Sequence, residues 1–456
     1  MSKVSERKTM RRVVVASTVG SMLEFYDFII YGTAAALVFP KVFFPALGGT
    51  ASLFASFATL GVAFVARPVG GLVFGHYGDR IGRKRTLIIT LSMMGTCTVL
   101  VGLLPTPATI GVAAPILLVL LRIVQGLAVG GEWAGAVLLA TEYSSKARRG
   151  LAGSYPQMGG PLAFSLASAT FLITSLAMGD SDGAFLDYGW RIPFVFSILL
   201  IGVGFYARFK LDETPVFKAA AEQHALGQHA GSEQAAGRQM PFVSMFREQW
   251  REVIIGALAL VGTFCGFYLA TAYLTSYATG DAGPGLSRPA VLGMGVVAGL
   301  VYAATTLAGG ALSDRIGRKR TILGGTVALA FLGLVLFPII DLGSMWAFGL
   351  GLALTTAVLG FTWGPAGPLL SELFDTRHRY TGAGASYNLA AIVGGALTPI
   401  FATALLSNWG SGSIGLLLST FSVVSIGGVL ALPETRDRTL SEATAGTPTA
   451  DEVHSV

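Results

Sequence analysis

The sequence predicts an all-α integral membrane protein, twelve transmembrane helices arranged as two pseudo-symmetric six-helix bundles, and three observations carry that expectation. Of 456 residues, 53% are hydrophobic and only 12% are charged, whereas a soluble domain carries about 25% charged residues. Apolar runs of about 20 residues, long enough to cross a hydrocarbon core of about 30 Å, recur twelve times. A basic loop motif occurs twice, half a chain apart, as "GHYGDRIGRKRTLI" at 75–88 and "GALSDRIGRKRTIL" at 310–323.

Each run is justified in chain order. Residues 13–38 follow Lys3, Arg7, Lys8, Arg11 and Arg12; the run is too long for the apolar part of a secretory signal and is broken by acids, so it is expected to be a retained first helix. Runs 52–77 and 86–104 flank the first copy of the basic motif, 114–140 and 152–178 flank "SSKARRG" at 144–150, and 191–209 closes the first half. The order then repeats. Runs 253–278 and 289–312 lead to the second copy, 321–340 and 345–370 lead to "DTRHR" at 375–379, and 383–406 and 412–432 follow. A weaker echo links "TEYSSKARRGLAGSY" (141–155) to "SELFDTRHRYTGAGASY" (371–387). The expected divisions are a first bundle over 1–210, a cytoplasmic linker over 211–250, a second bundle over 251–432 and a cytoplasmic tail over 433–456. The linker is rich in Ala, Gln, Gly and His and offers no domain-sized core. The tail has no heptads and is expected to be disordered.

Threading the runs alternately gathers both copies of the motif, "SSKARRG", the 210–251 segment, "DTRHR" and both termini on one side, with nearly all the Lys and Arg. The opposite connections hold Lys41, Arg191 and Arg288 and the acids Asp180, Asp182 and Asp187. The basic side is therefore expected to be cytoplasmic, in a plasma membrane. On this reading the net charge of +6 is topogenic, and with no basic domain to grip a phosphate backbone, nucleic acid is not an expected partner. Cys97 and Cys265 fall in apolar runs and imply no disulfide framework. Metal-ligand and nucleophile spacings are absent from the sequence, as is a phosphate-binding Gly loop followed by Lys and Ser or Thr. Neither an enzyme nor an ATP-driven pump is expected, no metal or other cofactor is called for, and the proton gradient is left as the energy source.

The doubled "G-x-x-x-D-R-x-G-R-K-R" is similar to the loop signature of the major facilitator superfamily. More narrowly, "LEFYDFIIYG" (23–32), "ARPVGGLVFGHYGDRIGRKRTL" (66–87), "RIVQGLAVGGEWAGA" (122–136), "GWRIPF" (189–194) and "DETPVF" (212–217) resemble the metabolite:proton symporter family. That family includes shikimate, α-ketoglutarate, citrate and proline/betaine carriers, and residues 66–136 most resemble the shikimate-type branch. The resemblance covers essentially the whole chain. It implies a fold in which helices 1, 4, 7 and 10 line a central cavity; one chain in the lipid bilayer is taken as the functional unit.

Within the first run, Glu24, Asp27, Phe28 and Tyr31 stand at i, i+3, i+4 and i+7 and share one helical face. A charged Asp at mid-bilayer costs about 2.5–3.5 kcal/mol on an insertion scale and calls for a partner or a wet cavity. The fourth run offers Arg122, Gln125, Val129, Glu132 and Trp133 on one face, so a carboxylate and a guanidinium are placed to pair. Protonation of Asp27 would release Arg122, whose donor fork suits a substrate carboxylate better than a Lys does. The resemblance implies the same roles, since proton-coupled sugar carriers of the superfamily place an Asp of helix 1 and an Arg of helix 4 in this way. The alternative is a static network that fixes helix packing. Asp27 and Arg122 are the principal coupling residues; Glu24 and Glu132 are either second proton sites or helix anchors.

The expected substrate contacts are Arg122, Tyr31, Arg67, Gln157, Trp133 and Trp363, with Arg67 either a second anion contact or a structural counter-charge. Gly-Pro steps in "QMGGPLAF" (157–164) and "FTWGPAGP" (361–368) either bend their helices near the site or simply pack closely. Asp79, Arg80 and Arg83, with Asp314, Arg315 and Arg318, carry inside charge; the resemblance implies that they also act as a cytoplasmic gate. The expected activity is proton-coupled symport of a small organic acid anion by alternating access. Its rivals are symport of a zwitterionic osmolyte such as betaine or proline, proton-coupled drug antiport, and a non-transporting membrane sensor.

Overall fold

The computed structural model describes residues 3–81, 83–130, 132–142, 144–178, 182–209, 241–375 and 378–438. In lipid, backbone polar groups are satisfied within the segment, and an apolar chain therefore crosses as helix. The first half contributes α1 (Lys3–Leu37), α2 (Gly49–Ile81), α3 (Arg83–Leu103), α4 (Ala113–Glu142), α5 (Lys146–Met178) and α6 (Arg191–Phe209). The second contributes α7 (Pro241–Tyr268, continued to Thr279), α8 (Arg288–Ile316), α9 (Arg318–Ile340), α10 (Met345–Leu373), α11 (Arg379–Trp409) and α12 (Ser411–Ala431). Among the described residues, ten helices are long and apolar enough to cross a membrane. The other two expected spans fall on α1 and on α3, whose apolar part is the shorter Ile88–Leu103. Described residues form no strand, so the all-α membrane fold stands.

Among the described residues, α5 is interrupted at Met158, between Arg149–Gln157 and Gly159–Met178, and α4, α7 and α11 are interrupted as well. α4 consists of Ala113–Val129 and Glu132–Glu142, α7 passes through a π-turn at Leu269–Tyr273, and α11 through one at Ala391–Ala396. Such interruptions re-aim side chains where a regular helix would not. The second basic motif makes the reversal its sequence predicts: Gly317, at φ 105°, ends α8 and starts α9. Gly82, the matching glycine of the first copy, lies outside the described residues.

Small residues set how closely the helices approach. At the α2–α4 crossing, a Cβ on Gly126 would overlap the Ala63 carbonyl and one on Gly130 the Arg67 carbonyl. Between the halves, α5 lies against α8, where a Cβ on Gly299 would come within 2.6 Å of the Ser165 amide and one on Gly310 within 2.5 Å of the Ser154 hydroxyl. Backbones meet there without intervening side chains, as membrane helix contacts favour. Further contacts between the halves join α2 to α11, α1 to the π-turn of α7, and the end of α4 to α10 and α11.

Most of the expected linker, 211–240, lies outside the described residues, whereas residues 241–250 already belong to α7. The tail is not disordered from its start: Thr435 is fully buried, and residues 434–438 bond to α8, α9 and α10 because Glu434 accepts from the otherwise unsatisfied amides of Arg318 (2.8 Å) and Lys319 (3.2 Å) at the start of α9. Residues 439–456 lie outside the described residues.

Gly126→Val is expected to lower the thermal unfolding midpoint of the detergent-solubilised protein by several degrees, because overpacking a tight contact costs about 1–3 kcal/mol. Gly20→Ala, where an added Cβ meets nothing within 4 Å, should leave the midpoint unchanged or raise it. Equal midpoints for the two variants would remove the close α2–α4 approach from the account.

Candidate functional site

The Arg122 guanidinium lies at the centre of the first half, fully buried. Its Cζ stands 3.8 Å from the centre of the Tyr31 ring and 4.9 Å from that of Phe28, and Nη1 donates to Gln125 Oε1 at 2.9 Å. Each ring face offers a buried cation about 0.5–2 kcal/mol, yet a ring face accepts no directed fork of hydrogen bonds. Nε and Nη2 of Arg122 have no hydrogen-bond partner among the described residues. Arg67 sits on the other side of this cluster, with Cζ 4.1 Å from the Phe28 ring centre and 4.4 Å from that of Phe64, and Phe64 meets Tyr268 of α7 edge-on at 5.2 Å.

The expected ion pair between Asp27 and Arg122 is not direct. Asp27, 4% exposed, accepts from the Ser197 hydroxyl of α6 at 3.3 Å, and the Thr98 hydroxyl of α3 donates to the Met94 carbonyl at 3.0 Å. Thr98 Oγ1 in turn accepts from Gln125 Nε2 at 2.6 Å. Acid and guanidinium thus keep separate partners, Ser197 for Asp27 and Gln125 for Arg122, and the ring faces of Phe28 and Tyr31 hold Arg122 from the α1 side. Glu24, 5% exposed, lies near Tyr268 and Tyr387 of the second half. The side chain of Glu132 lies outside the described residues.

The remaining expected contacts form a clasp between the halves. Gln157 on α5 donates from Nε2 to the Trp363 carbonyl of α10 at 3.0 Å, while Trp363 Nε1 donates back to the Gln157 carbonyl at 2.9 Å. Gln157 Oε1 accepts from Trp133 Nε1 at 2.7 Å, and the Trp133 ring stacks on Tyr387 of α11 with centroids 3.8 Å apart. Trp363 stacks on Phe267 at 5.6 Å and meets Phe25 edge-on at 5.9 Å. Tyr31 bonds to Thr59 at 2.6 Å and serves as a platform under Arg122.

Contacts between the halves lie at both ends of the site. At the end carrying the basic motifs, Glu372 of α10 pairs with Arg149 of α5 at 3.5 Å and Arg318 of α9 at 3.3 Å and accepts from Thr435 at 2.8 Å. Asp314 pairs with Arg318 at 2.8 Å and accepts the amides of Gly150 and Leu151 at 2.7 and 2.9 Å. An acid of the second half thereby satisfies a helix N-terminus of the first. Arg315 is exposed and stays out of this cluster with its side chain, although its carbonyl accepts from Arg436. The side chains of Asp79, Arg80 and Arg83 lie outside the described residues. At the opposite end, Arg288 of α8 stands 3.9 Å over the Phe185 ring, and Phe57 meets Tyr273 at 6.1 Å.

Sequence reasoning missed Thr98, Ser197, Arg149, Glu372 and Glu434. The rule that singled out Glu24 and Asp27, an acid set in a long apolar helix, applies equally to Glu372. Thr98 and Ser197 carry no such signal, since hydroxyls are common in apolar helices.

The chain matches the family described as "Sugar (and other) transporter" over residues 13–446. It is 41% identical to the inner membrane metabolite transport protein YhjE of Escherichia coli (strain K12), covering 94% of this chain and 95% of that one. To the shikimate transporter of the same organism it is 37% identical, over 89% and 91%, and to its proline/betaine transporter 32%, over 95% and 86%. Among solved structures it is similar to the xylose transporter XylE of E. coli; with the form bound to 6-bromo-6-deoxy-D-glucose the TM-score is 0.73 at 18% identity, over 96% and 99% of the two chains. At that identity the likeness is one of fold.

Gln157→Leu removes the side-chain half of the clasp and leaves the Trp133 indole N–H and the Trp363 carbonyl without partners. A buried unpaired group costs about 1–3 kcal/mol, so the thermal midpoint should fall and the near-UV circular dichroism of the tryptophans should weaken. An unchanged midpoint and spectrum would show that Gln157 does not hold the halves together.

Proposed function

Because the chain belongs to the sugar (and other) transporter family of the major facilitator superfamily, we propose that it imports a small organic acid anion together with protons by alternating access. The observation that carries this reading is the unfilled donor capacity of Arg122. The amides at the centre are already committed: Gln157 on both its amide atoms, and Gln125 on both of its own. A polyol would have to displace these bonds, whereas a carboxylate would add bonds to Nε and Nη2 of Arg122. Hydrogen bonds to charged groups contribute about 1.5–3 kcal/mol, and a guanidinium fork matches a carboxylate's two oxygens.

Charge balance supplies the link to protons. Among the described residues, the buried centre holds Arg67 and Arg122 against Glu24 and Asp27, which is neutral when both acids are ionised. An incoming anion would leave an excess negative charge in a medium that tolerates it poorly. A proton on Asp27 offsets that charge, so one proton admits one negative charge. The basic end is assigned to the cytoplasm by its charge, and the likeness in fold to a proton:xylose symporter accords with inward symport.

A second reading rests on the rings. Phe25 of α1 clusters with Phe264, Phe267, Trp363 and Tyr387 of the second half, and aromatic faces also bind quaternary ammonium groups. A zwitterion such as betaine would place its carboxylate on Arg122 and its cation among these rings.

Proteoliposome uptake of labelled shikimate, α-ketoglutarate, citrate and betaine, with and without an inward proton gradient, separates the two. Accumulation of an acid anion only under the gradient is expected; uptake of betaine alone would favour the zwitterion, and indifference to the gradient would end the symport reading. Asp27→Asn should abolish gradient-driven accumulation while leaving exchange. Arg122→Ala should raise KM about 10- to 100-fold, the loss of one to two charge-assisted bonds, with Arg122→Lys less affected; equal small effects would refute the clamp.

A further inference from the structure

Two guanidiniums, from different helices, share the ring of Phe28. Cζ of Arg67 on α2 lies 4.1 Å and Cζ of Arg122 on α4 lies 4.9 Å from the centre of that ring, so the two cations stand no farther apart than those distances laid end to end. Both side chains are buried, at 5% and 0% exposure. Like charges at such a separation repel strongly where little water screens them. The ring eases that repulsion but accepts no directed bonds, and Nε of Arg67, like Nε and Nη2 of Arg122, has no hydrogen-bond partner among the described residues.

The unpartnered atoms on the two residues call for separate acceptors. Nε and Nη2 of Arg122 form one edge of a guanidinium, and such an edge engages both oxygens of a single carboxylate. A carboxylate seated there is fully used. The N–H of Arg67 Nε then needs an acceptor of its own, and the rings against its guanidinium, Phe28 and Phe64 at 4.4 Å, offer it no lone pair.

We infer that the central site is shaped for a substrate carrying two carboxylates on a short chain, one on Arg122 and the other on Arg67, with the Phe28 ring as the spacer between them. This deepens the proposed anion import and rests on Arg122 being the anion site. The ring holds both cations while the site is empty, and the two helices fix the spacing that the substrate must match. Charge accords with the class: the buried centre holds two acids, Glu24 and Asp27, and one proton on each offsets the two negative charges of a dicarboxylate. A monocarboxylate leaves the Arg67 N–H unfilled, and a betaine brings a cation toward it.

The test compares succinate with its monomethyl ester, nearly the same in length and one charge poorer, by calorimetric titration of the detergent-solubilised full chain at neutral pH. Succinate should bind about 10- to 100-fold more tightly, the gain of one charge-assisted contact. Across malonate, succinate, glutarate and adipate the affinity should pass through a maximum. Arg67→Gln should bring succinate down to the level of the ester and flatten the series, whereas Arg67→Lys, which keeps the charge and loses the fork, should retain part of the preference. The comparison on the unaltered chain decides even where Arg67→Gln does not fold. Equal binding of succinate and its ester, a preference that survives Arg67→Gln, or equal losses of both ligands in that variant would overturn the two-carboxylate site and leave Arg122 as anion site. Absence of binding by any of these carboxylates would overturn it together with the proposed anion import.

Discussion

A guanidinium with more N–H groups than acceptors, held where no water reaches it, is the constraint on which the rest of this fold depends. Arg122 has five donors, one protein acceptor and two ring faces. The rings offset part of the cost of burial, but not the directed bonds. Placing it so requires α4 to press on α2, which Gly126 and Gly130 permit, and requires Phe28 and Tyr31 one turn apart on α1. The same turn of α1 carries Asp27, so the acid stays close to the cation without clasping it. A direct ion pair would have used up the donor capacity that the proposed anion would engage.

Closure of the site relies on interactions that are specific and yet reversible. Glu372 is shared by Arg149, Arg318 and Thr435, and Asp314 receives two amides at the start of α5. Buried ion pairs are costly to break singly, about 3–5 kcal/mol for loss of one partner, but their net stabilisation is small because both charges lose their water. If the whole cluster separates and rehydrates at once, little net free energy changes. Glycine and serine along α5 and α8 suit the same requirement, since backbones that meet directly carry no interdigitated side chains to disengage.

Much of the fold was legible because the bilayer leaves few choices. Twelve apolar runs and a duplicated basic motif are consequences of lipid thickness and of topology, and the helices follow them within a few residues except at the starts of α1, α5 and α7, which extend further toward the basic end. The site was legible where it carried charge: Asp27, Arg67 and Arg122 are conspicuous because charge in hydrocarbon is expensive, and helical phase placed Phe28 and Tyr31 beside them. What surrounds those charges was not. Thr98 lies in an apolar run where hydroxyls ordinarily bond to their own helix, and a neighbouring helix supplies Gln125 as its second partner. Glu434 was hidden for the converse reason: a polar tail with no heptads gives no sign that its first acid caps α9.

The distribution of buried charge between the halves ties these observations to motion. Glu24, Asp27, Arg67 and Arg122 all belong to α1, α2 and α4, whereas among the described residues the buried charged groups of the second half, Arg318, Glu372 and Arg379 with His378, lie at the basic end. The central face of the second half is instead aromatic and hydroxylic, with Phe267, Tyr268, Tyr302, Trp363 and Tyr387. A face without charge slides or rocks over a charged one without breaking ion pairs at mid-membrane, so the desolvation cost of the charges is met within one half and does not vary with the angle between halves. Under the proposed symport, the proton and the anion would then set the balance between open and closed forms, since they are charges at the centre that come and go.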